Sequence, residues 1–195
     1  MFTGIVEKTG KLKKIEKKTD KVYFIIEVDK FLNGVKIGDS ISCDGTCLTV
    51  VKKTKNIFTV ELMPETLRLT KFIDSKIGDE INLEKASKIG DRINGHFVSG
   101  HVDCVGVLKK IIKEGKYFCF AIRIPGQFSK FLAYKGSVSV NGVSLTIAES
   151  KKDIFKICLI THTLNITNLS DLKIGDKVNI EVDLIARYLE KMLEK

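Results

Sequence analysis

Three histidines, five cysteines and a set of carboxylates and hydroxyls are the groups through which this chain could move protons or form bonds. His101 lies in the run Ser-Gly-His-Val-Asp at 99–103, and an imidazole, which titrates near neutrality, suits proton transfer. His96 reads as a structural hydrogen-bonding residue. Cys47 lies in Gly-Thr-Cys-Leu-Thr at 45–49; it is a nucleophile if something stabilises its thiolate, and otherwise a small buried apolar residue. Asp183 directly precedes an apolar-periodic stretch, where a carboxylate acts either as a helix N-cap or as a catalytic or ligand-binding group. Ser40 and Thr146 either satisfy backbone groups at strand ends or contact a ligand. Phe2 is either core or pocket wall. The cysteines at 43, 47, 104, 119 and 158 are odd in number and form no C-x-x-C pair. They read as reduced thiols, not as a disulfide framework. Together with His96, His101 and His162 they match no metal-ligand spacing, so no metal is expected.

These groups fall into two matched sets. Shifting the chain by 97 lays residues 40–86 on 137–183 with 19 identities in 47 ungapped positions. A one-residue gap upstream changes the offset to 96 and lays Thr3-Gly4-Ile5-Val6 on Ser99-Gly100-His101-Val102. The scaffold matches while the polar groups diverge. Cys47 meets Ser144, Leu48-Thr49 meets Leu145-Thr146, Glu61 meets Cys158, Glu65 meets His162, Ile5 meets His101, and Ala86 meets Asp183. A repeat of this kind suits two like sites with distinct roles, holding two copies of one small ligand or two similar ones.

The elements that must position these groups are strands. In the second half, strands are expected at 101–109, 117–124, 137–140, 145–148, 154–160 and 177–182. Apolar and polar residues alternate clearly from Phe155 and from Lys177, as a half-buried strand requires. Asn141-Gly142, Asp44-Gly45 and the Ile-Gly-Asp triplets mark turns. Six short strands in about 90 residues imply a closed antiparallel barrel, since closure removes the exposed edges. The expected fold is therefore all-β, two tandem six-stranded barrels. Short helices are expected at 127–132 and, as its counterpart, 30–32. After Asp183 the spacing of Leu184, Tyr188 and Met192, flanked by Ile185, Leu189 and Leu193, predicts an amphipathic C-terminal helix whose apolar stripe either packs on its own barrel or meets other subunits, the second being favoured for an element outside the repeat. The expected units are 1–96, 97–183 and the helix at 184–195.

Composition narrows the function classes. With 44% hydrophobic and 29% charged residues, disordered and fibrous classes drop out. No apolar run approaches the ~18 residues of a membrane-spanning helix. The start of the sequence has neither the basic nor the apolar region of an export signal, so a cytoplasmic location is expected. The net charge of +9 raises nucleic acid as a partner. However, the only arginines are Arg68, Arg92, Arg123 and Arg187, leaving 29 lysines among 33 basic residues, and the aromatic-plus-arginine faces that stack bases are missing. The lysine run from Lys8 to Lys21 reads as a solvated face, and no nucleic acid partner is expected.

Five runs carry a family resemblance: the opening Met1 to Val6 (MFTGIV), the pair 45–49 (GTCLT) and 142–146 (GVSLT), residues 94–103 (NGHFVSGHVD), and residues 61–67 (ELMPETL). In number, order and spacing they resemble riboflavin synthases of the alpha-chain type, over the full length of the chain. The resemblance implies Greek-key barrels, a homotrimer built with the C-terminal helix, and active sites between the N-terminal barrel of one chain and the C-terminal barrel of another. It implies a cofactor-free dismutation in which two molecules of 6,7-dimethyl-8-ribityllumazine exchange a four-carbon unit, giving riboflavin and 5-amino-6-ribitylamino-uracil. Carried over by position, Gly4, Ile5, Val6, Cys47, Leu48, Thr49, Glu61, Leu62, Met63, Pro64, Glu65 and Thr66 would line one pocket. Gly100, His101, Val102, Lys135, Ser144, Leu145, Thr146, Cys158, Leu159, Ile160, Thr161, His162 and Thr163 would line the other. Phe2, Ser40, Cys47, His101, Thr146 and Asp183 correspond to positions important for activity in the family. Thr161-His162 departs from the usual Pro-Glu pair, which Pro64-Glu65 keeps. The alternative reading is a non-catalytic lumazine- or flavin-binding protein of the antenna type.

Overall fold

Alternation of buried and outward residues builds twelve strands, described by a computed structural model over residues 1–115 and 117–194. In the first repeat these are β1 (Lys8–Lys17), β2 (Val22–Glu27), β3 (Ser40–Cys43), β4 (Thr46–Lys53), β5 (Ile57–Leu62) and β6 (Glu80–Lys85). The second repeat provides β7 (Cys104–Glu114), β8 (Tyr117–Arg123), β9 (Ser137–Val140), β10 (Val143–Lys151), β11 (Ile154–Leu159) and β12 (Lys177–Val182). Each set closes into an antiparallel barrel, in the order β1-β2-β5-β4-β3-β6 and its equivalent β7-β8-β11-β10-β9-β12. Bulges fall at matched places, Leu12/Lys14 with Leu108/Lys110 and Val50/Lys52 with Ile147/Glu149. They supply the local bending by which a small sheet closes.

Every second residue of β5 (Phe58, Val60, Leu62) and of β11 (Phe155, Ile157, Leu159) points into its barrel and is essentially inaccessible to water. Burial of such side chains contributes about 1.5–3 kcal/mol each, so each barrel has its own apolar core. Short helices follow the matched strands β5 and β11, α1 at Pro64–Leu69 and α2 at Thr161–Ile166, and each leads into a 3-10 turn. The sequence reading did not anticipate them, because six residues carry too little periodicity to register. The expected helix at 127–132 is a 3-10 turn at Gly126–Phe131, and 30–32 is not helical. The strand expected from 101 begins only at Cys104, because the preceding residues leave the barrel. The amphipathic C-terminal helix is present as α3, Leu184–Leu193, with Asp183 as its N-cap: its Oδ1 accepts from Ile185 N at 2.9 Å. No helix among the described residues is long and apolar enough to cross a membrane.

The reading of all five cysteines as reduced thiols is corrected. Cys119 and Cys158 form a disulfide, because the β8–β11 register sets them directly opposite. A separation of 39 residues gives no hint of this in the sequence. Cys43, Cys47 and Cys104 are free thiols.

Buried amides join the barrels across a pseudo-twofold axis. Asn82 Nδ2 donates to Asn141 O and Asn179 Nδ2 to Asp44 O, both at 2.9 Å. Their own amide oxygens accept from Asn168 N and Lys71 N at 2.7 Å. Gly45 and Gly142, both at positive φ, bring the two turns so close that a Cβ on Gly45 would stand 2.8 Å from Gly142 N. Only glycine fits there. The symmetry breaks at one pair: Lys71 Nζ meets the buried Asp44 carboxylate at 2.8 Å, where the other copy has Asn168 and Asn141.

Candidate active site

Two four-residue segments, one ahead of each barrel, carry the central feature of the site. Glu84 on β6 accepts from Thr3 N at 2.7 Å, Thr3 Oγ1 at 2.9 Å and Gly4 N at 3.0 Å. Glu181 on β12 does the same for Ser99 N at 2.7 Å, Ser99 Oγ at 2.6 Å and Gly100 N at 2.9 Å. Both carboxylates are buried, and desolvation pushes both above the usual carboxylate value against the hydrogen bonds that lower it. The segments also pair with each other: Phe2 N donates to Val98 O at 2.8 Å and Val98 N to Phe2 O at 3.1 Å. Phe2 is consequently buried, at 1% exposure.

Each segment then crosses to the other barrel. Ser144 N donates to Gly4 O and Cys47 N donates to Gly100 O, both at 2.8 Å. Gly4 and Gly100 have φ of +76° and +82°, and a Cβ on either would lie within 2.7 Å of the facing side chain. Val6 belongs to the core of the second barrel. This corrects the expected grouping of pocket residues. Gly4 stands against Ser144 and Val6 lies in the second core, while Gly100 stands against Cys47; Ile5 and His101 instead line clefts beside Glu84 and Ser99. Position along the chain assigned each segment to its own barrel; an exchange across the pseudo-twofold axis leaves no mark on a linear sequence.

Beside Cys47, strand β4 presents Thr49 outward, and β5 presents the half-buried Glu61 before running through exposed Met63 into Pro64, Glu65 and Thr66 of α1. Lys21 Nζ lies 3.3 Å from Glu61 and 5.8 Å from the Tyr23 ring centroid. The Glu61 hydrogen bond is the first cause of a raised Lys21 pKa. Glu65 is tied to Arg68 at 2.5 Å. In the second barrel Thr146 and Cys158 are outward, and β11 runs through exposed Ile160 into Thr161, His162 and Thr163 of α2. Leu48, Leu62 and Leu159 point into the barrel cores at 4%, 0% and 1% exposure. They support the neighbouring outward residues and face no cleft.

His96, expected to be structural, is held where it bears on the site. Its Nδ1 lies 2.7 Å from Ser144 Oγ, while its buried Nε2 has no partner. Desolvation lowers its pKa, and the nearby Asp183 carboxylate opposes that shift. Lys135 occupies a turn at φ +63°, where the first copy has Gly38. Its N donates to Ile147 O at 2.9 Å, directly beside Thr146.

Two equivalent clefts flank the crossing segments. One contains Thr3, Ile5, Ser40, Glu84 and Ala86 and is walled by residues of the 87–94 connection. The other contains Ser99 and His101 and is walled by α3 through Leu184, Arg187 and Tyr188. Asp103 holds α3 in place: Arg187 Nη2 donates to both of its carboxylate oxygens at 2.9 Å, and Val182 N donates at 2.8 Å. Desolvation is the first cause of a raised Asp103 pKa. The sequence reading passed over Glu84, Glu181, Asn82 and Asn179. Their signal was present, since each is a polar residue kept identical in both copies within a buried strand.

Two barrels, each met by the other's leading segment and each flanked by an open cleft, define a protein of duplicated barrels with two equivalent sites. The family described as "Lumazine binding domain" matches residues 3–86 and again 99–183. Riboflavin synthase of Photobacterium phosphoreum is 45% identical over 194 residues, covering 99% of this chain and 89% of that protein. Riboflavin synthase of Bacillus subtilis is 42% identical over 195 residues, covering 100% and 91%, and that of Escherichia coli 39% over 186 residues, covering 94% and 87%. Among solved structures, LumP complexed with 6,7-dimethyl-8-(1'-D-ribityl) lumazine aligns with a TM-score of 0.84 at 30% identity, covering 93% of this chain and 99% of that one. LumP complexed with riboflavin gives 0.87 at 28%, with the same coverage. The chain belongs to the riboflavin synthase family.

Proposed function

We propose that this chain catalyses the dismutation of two 6,7-dimethyl-8-ribityllumazine molecules, one donating a four-carbon unit to the other, to give riboflavin and 5-amino-6-ribitylamino-uracil. The observation that carries the reading is the exchange of Gly4 and Gly100 across the barrels, which builds two like sites with unlike polar groups. One lumazine lies on the Cys47–Thr49, Glu61–Thr66 and Gly100–Val102 surface, and the other on the Ser144–Thr146, Cys158–Thr163 and Gly4–Val6 surface. Ser40, Lys135 and Asp183 lie at their edges.

The donor must lose a proton from its 7-methyl group, and the resulting carbanion is delocalised into its own ring. His101 is exposed on the crossing segment and serves as the proton acceptor. The acceptor lumazine takes a nucleophile at C7, for which the Cys47 thiol and a water molecule compete. Because the substrates supply the electron sinks, the protein's largest contribution is to hold two rings in register, worth up to ~7–11 kcal/mol. No cofactor enters this chemistry. Thr49, Thr146, Met63 and Ile160 are solvent-facing in one chain, so a second chain is needed to close over the rings. We assign that role to a homotrimer joined through α3, with 1–96 and 97–183 as its two ligand-binding units and the cytoplasm as its location.

Mixing purified protein with the lumazine and following riboflavin absorbance without added cofactor tests the reading. Growth of the flavin band supports it. Tight binding without product favours the non-catalytic alternative and overturns the enzymatic reading.

A further inference from the structure

The matched positions on the outer faces of the two barrels carry unlike devices. On the first barrel, Tyr23 opposite Glu61 is joined by Lys21 in a charged cluster. On the second, the same two positions are Cys119 and Cys158, joined covalently. Cys119 is buried at 1% exposure, whereas Cys158 is exposed. One residue beyond Cys158, β11 ends, and the chain passes through Ile160 into α2. The bond therefore clamps the strand end that delivers Ile160, Thr161, His162 and Thr163. Besides the bond, these four residues are held near α2's ends, by Leu164 N donating to Ile160 O at 3.3 Å and Thr167 Oγ1 to Thr163 O at 2.7 Å; α2 buries no side chain and its N-cap makes no side-chain hydrogen bond.

We propose that Cys158 is a thiol–disulfide exchange site whose substrates are small dithiols or dithiol proteins, and that the Cys119–Cys158 bond is a reversible clamp on the β11–α2 rim. Attack follows exposure. A dithiol's thiolate attacks the Cys158 sulfur and Cys119 leaves as a thiolate, which takes up a proton. The second thiol of the reductant then attacks the mixed disulfide, releasing the Cys158 thiol and a cyclic disulfide. Two electrons and two protons pass to the protein, and the dithiol is oxidised. Reduction removes one of the rim's restraints, so a ligand resting on it must order a more mobile segment at the cost of affinity. The exchange and the rim mobility stand independently of the proposed reaction; only the lumazine readout rests on it.

The test uses the full chain isolated without reductant, then treated or not with dithiothreitol. Maleimide labelling after denaturation, read by mass, should count three thiols before reduction and five after, from three free and two bridged cysteines. Native amide exchange should rise at 159–166 after reduction and stay unchanged at 62–69 in the first repeat. Lumazine should bind the second site at least ~3-fold more weakly when that rim is free. The Cys119→Ala/Cys158→Ala double variant should match the reduced protein and ignore dithiothreitol. Five thiols in the unreduced protein, or three thiols that resist dithiothreitol in the native state, would overturn the exchange site. Equal amide exchange at 159–166 in both states would overturn the clamp, whether or not the chain binds lumazine.

Discussion

At the residue scale, Cys47 N donates to the carbonyl of Gly100, the residue before His101, and the contributions proposed for Cys47 and His101 differ. A general base acts in proton abstraction itself, typically worth 10²- to 10⁴-fold, whereas a nucleophile that water can replace is worth less. His101→Ala should therefore lower kcat by about 10²-fold or more, and Cys47→Ser by about tenfold or less; equal, negligible effects in steady-state assays would contradict the assignment. His96 supplies a pH dependence. Its folded pKa lies below the usual 6.5 because burial disfavours the imidazolium, so the unfolded chain binds more protons than the folded one near that pH. The stabilising contribution is complete above 6.5 and is lost as pH falls through that value toward the folded pKa. Melting temperatures measured across this window should fall on acidification, and His96→Asn should flatten the slope. An unchanged slope in the variant would remove His96 as the cause.

Among the elements, β6 and β12 act beyond their own barrels, because Glu84 and Glu181 grip the segments that cross over. Glu84→Gln keeps an oxygen for Thr3 but presents an NH2 to Gly4 N, leaving one buried donor unpaired. The expected loss is about 1–3 kcal/mol of stability, and the ligand affinity that falls should be that of the second-barrel site, where Gly4 meets Ser144. Glu181→Gln should weaken the Cys47 site instead. Titrating each variant with the lumazine and mapping which loop becomes protected decides this, and weakening confined to the mutated barrel would contradict the crossover. The strands themselves were readable from period-2 alternation in Phe155–Ile160 and Lys177–Val182, and the repeat was readable from 19 matched positions. The crossover was not, since hydrogen bonds between Gly4 and Ser144 span 140 residues and leave no local pattern. The Cys119–Cys158 bond was hidden for the same reason: it depends on a strand register set by tertiary pairing. The six-residue helices α1 and α2 are stabilised by their place after β5 and β11, and their intrinsic periodicity is too brief to read.

The whole molecule is a duplication with one unmatched part. Where the first repeat runs into an irregular connection at 87–94, the second runs into α3, and both wall equivalent clefts. The faces of α3 are the reverse of those of an ordinary surface helix. Two of its charged residues turn to its own barrel, Arg187 on Asp103 and Glu190 on Lys130. Ile185, Tyr188, Leu189, Met192 and Leu193 are each more than half exposed. An apolar stripe of this size left in water is unfavourable by ~25 cal/mol per Å² relative to burial, and it suits contact with copies of the same chain. Tyr188→Glu/Met192→Glu places two like charges on that stripe without touching Asp103, Arg187 or the crossing segments. If the proposed trimer forms, light scattering should show it replaced by monomers of 21.8 kDa. Circular dichroism and thermal unfolding of the barrels should be nearly unchanged, because each has its own core. Lumazine should still bind to single barrels, while riboflavin formation should fall at least ~10²-fold, since in the proposed trimer the two rings meet only between chains. A monomer that retained full activity would place both substrates within one chain and remove the reason for α3 to face outward.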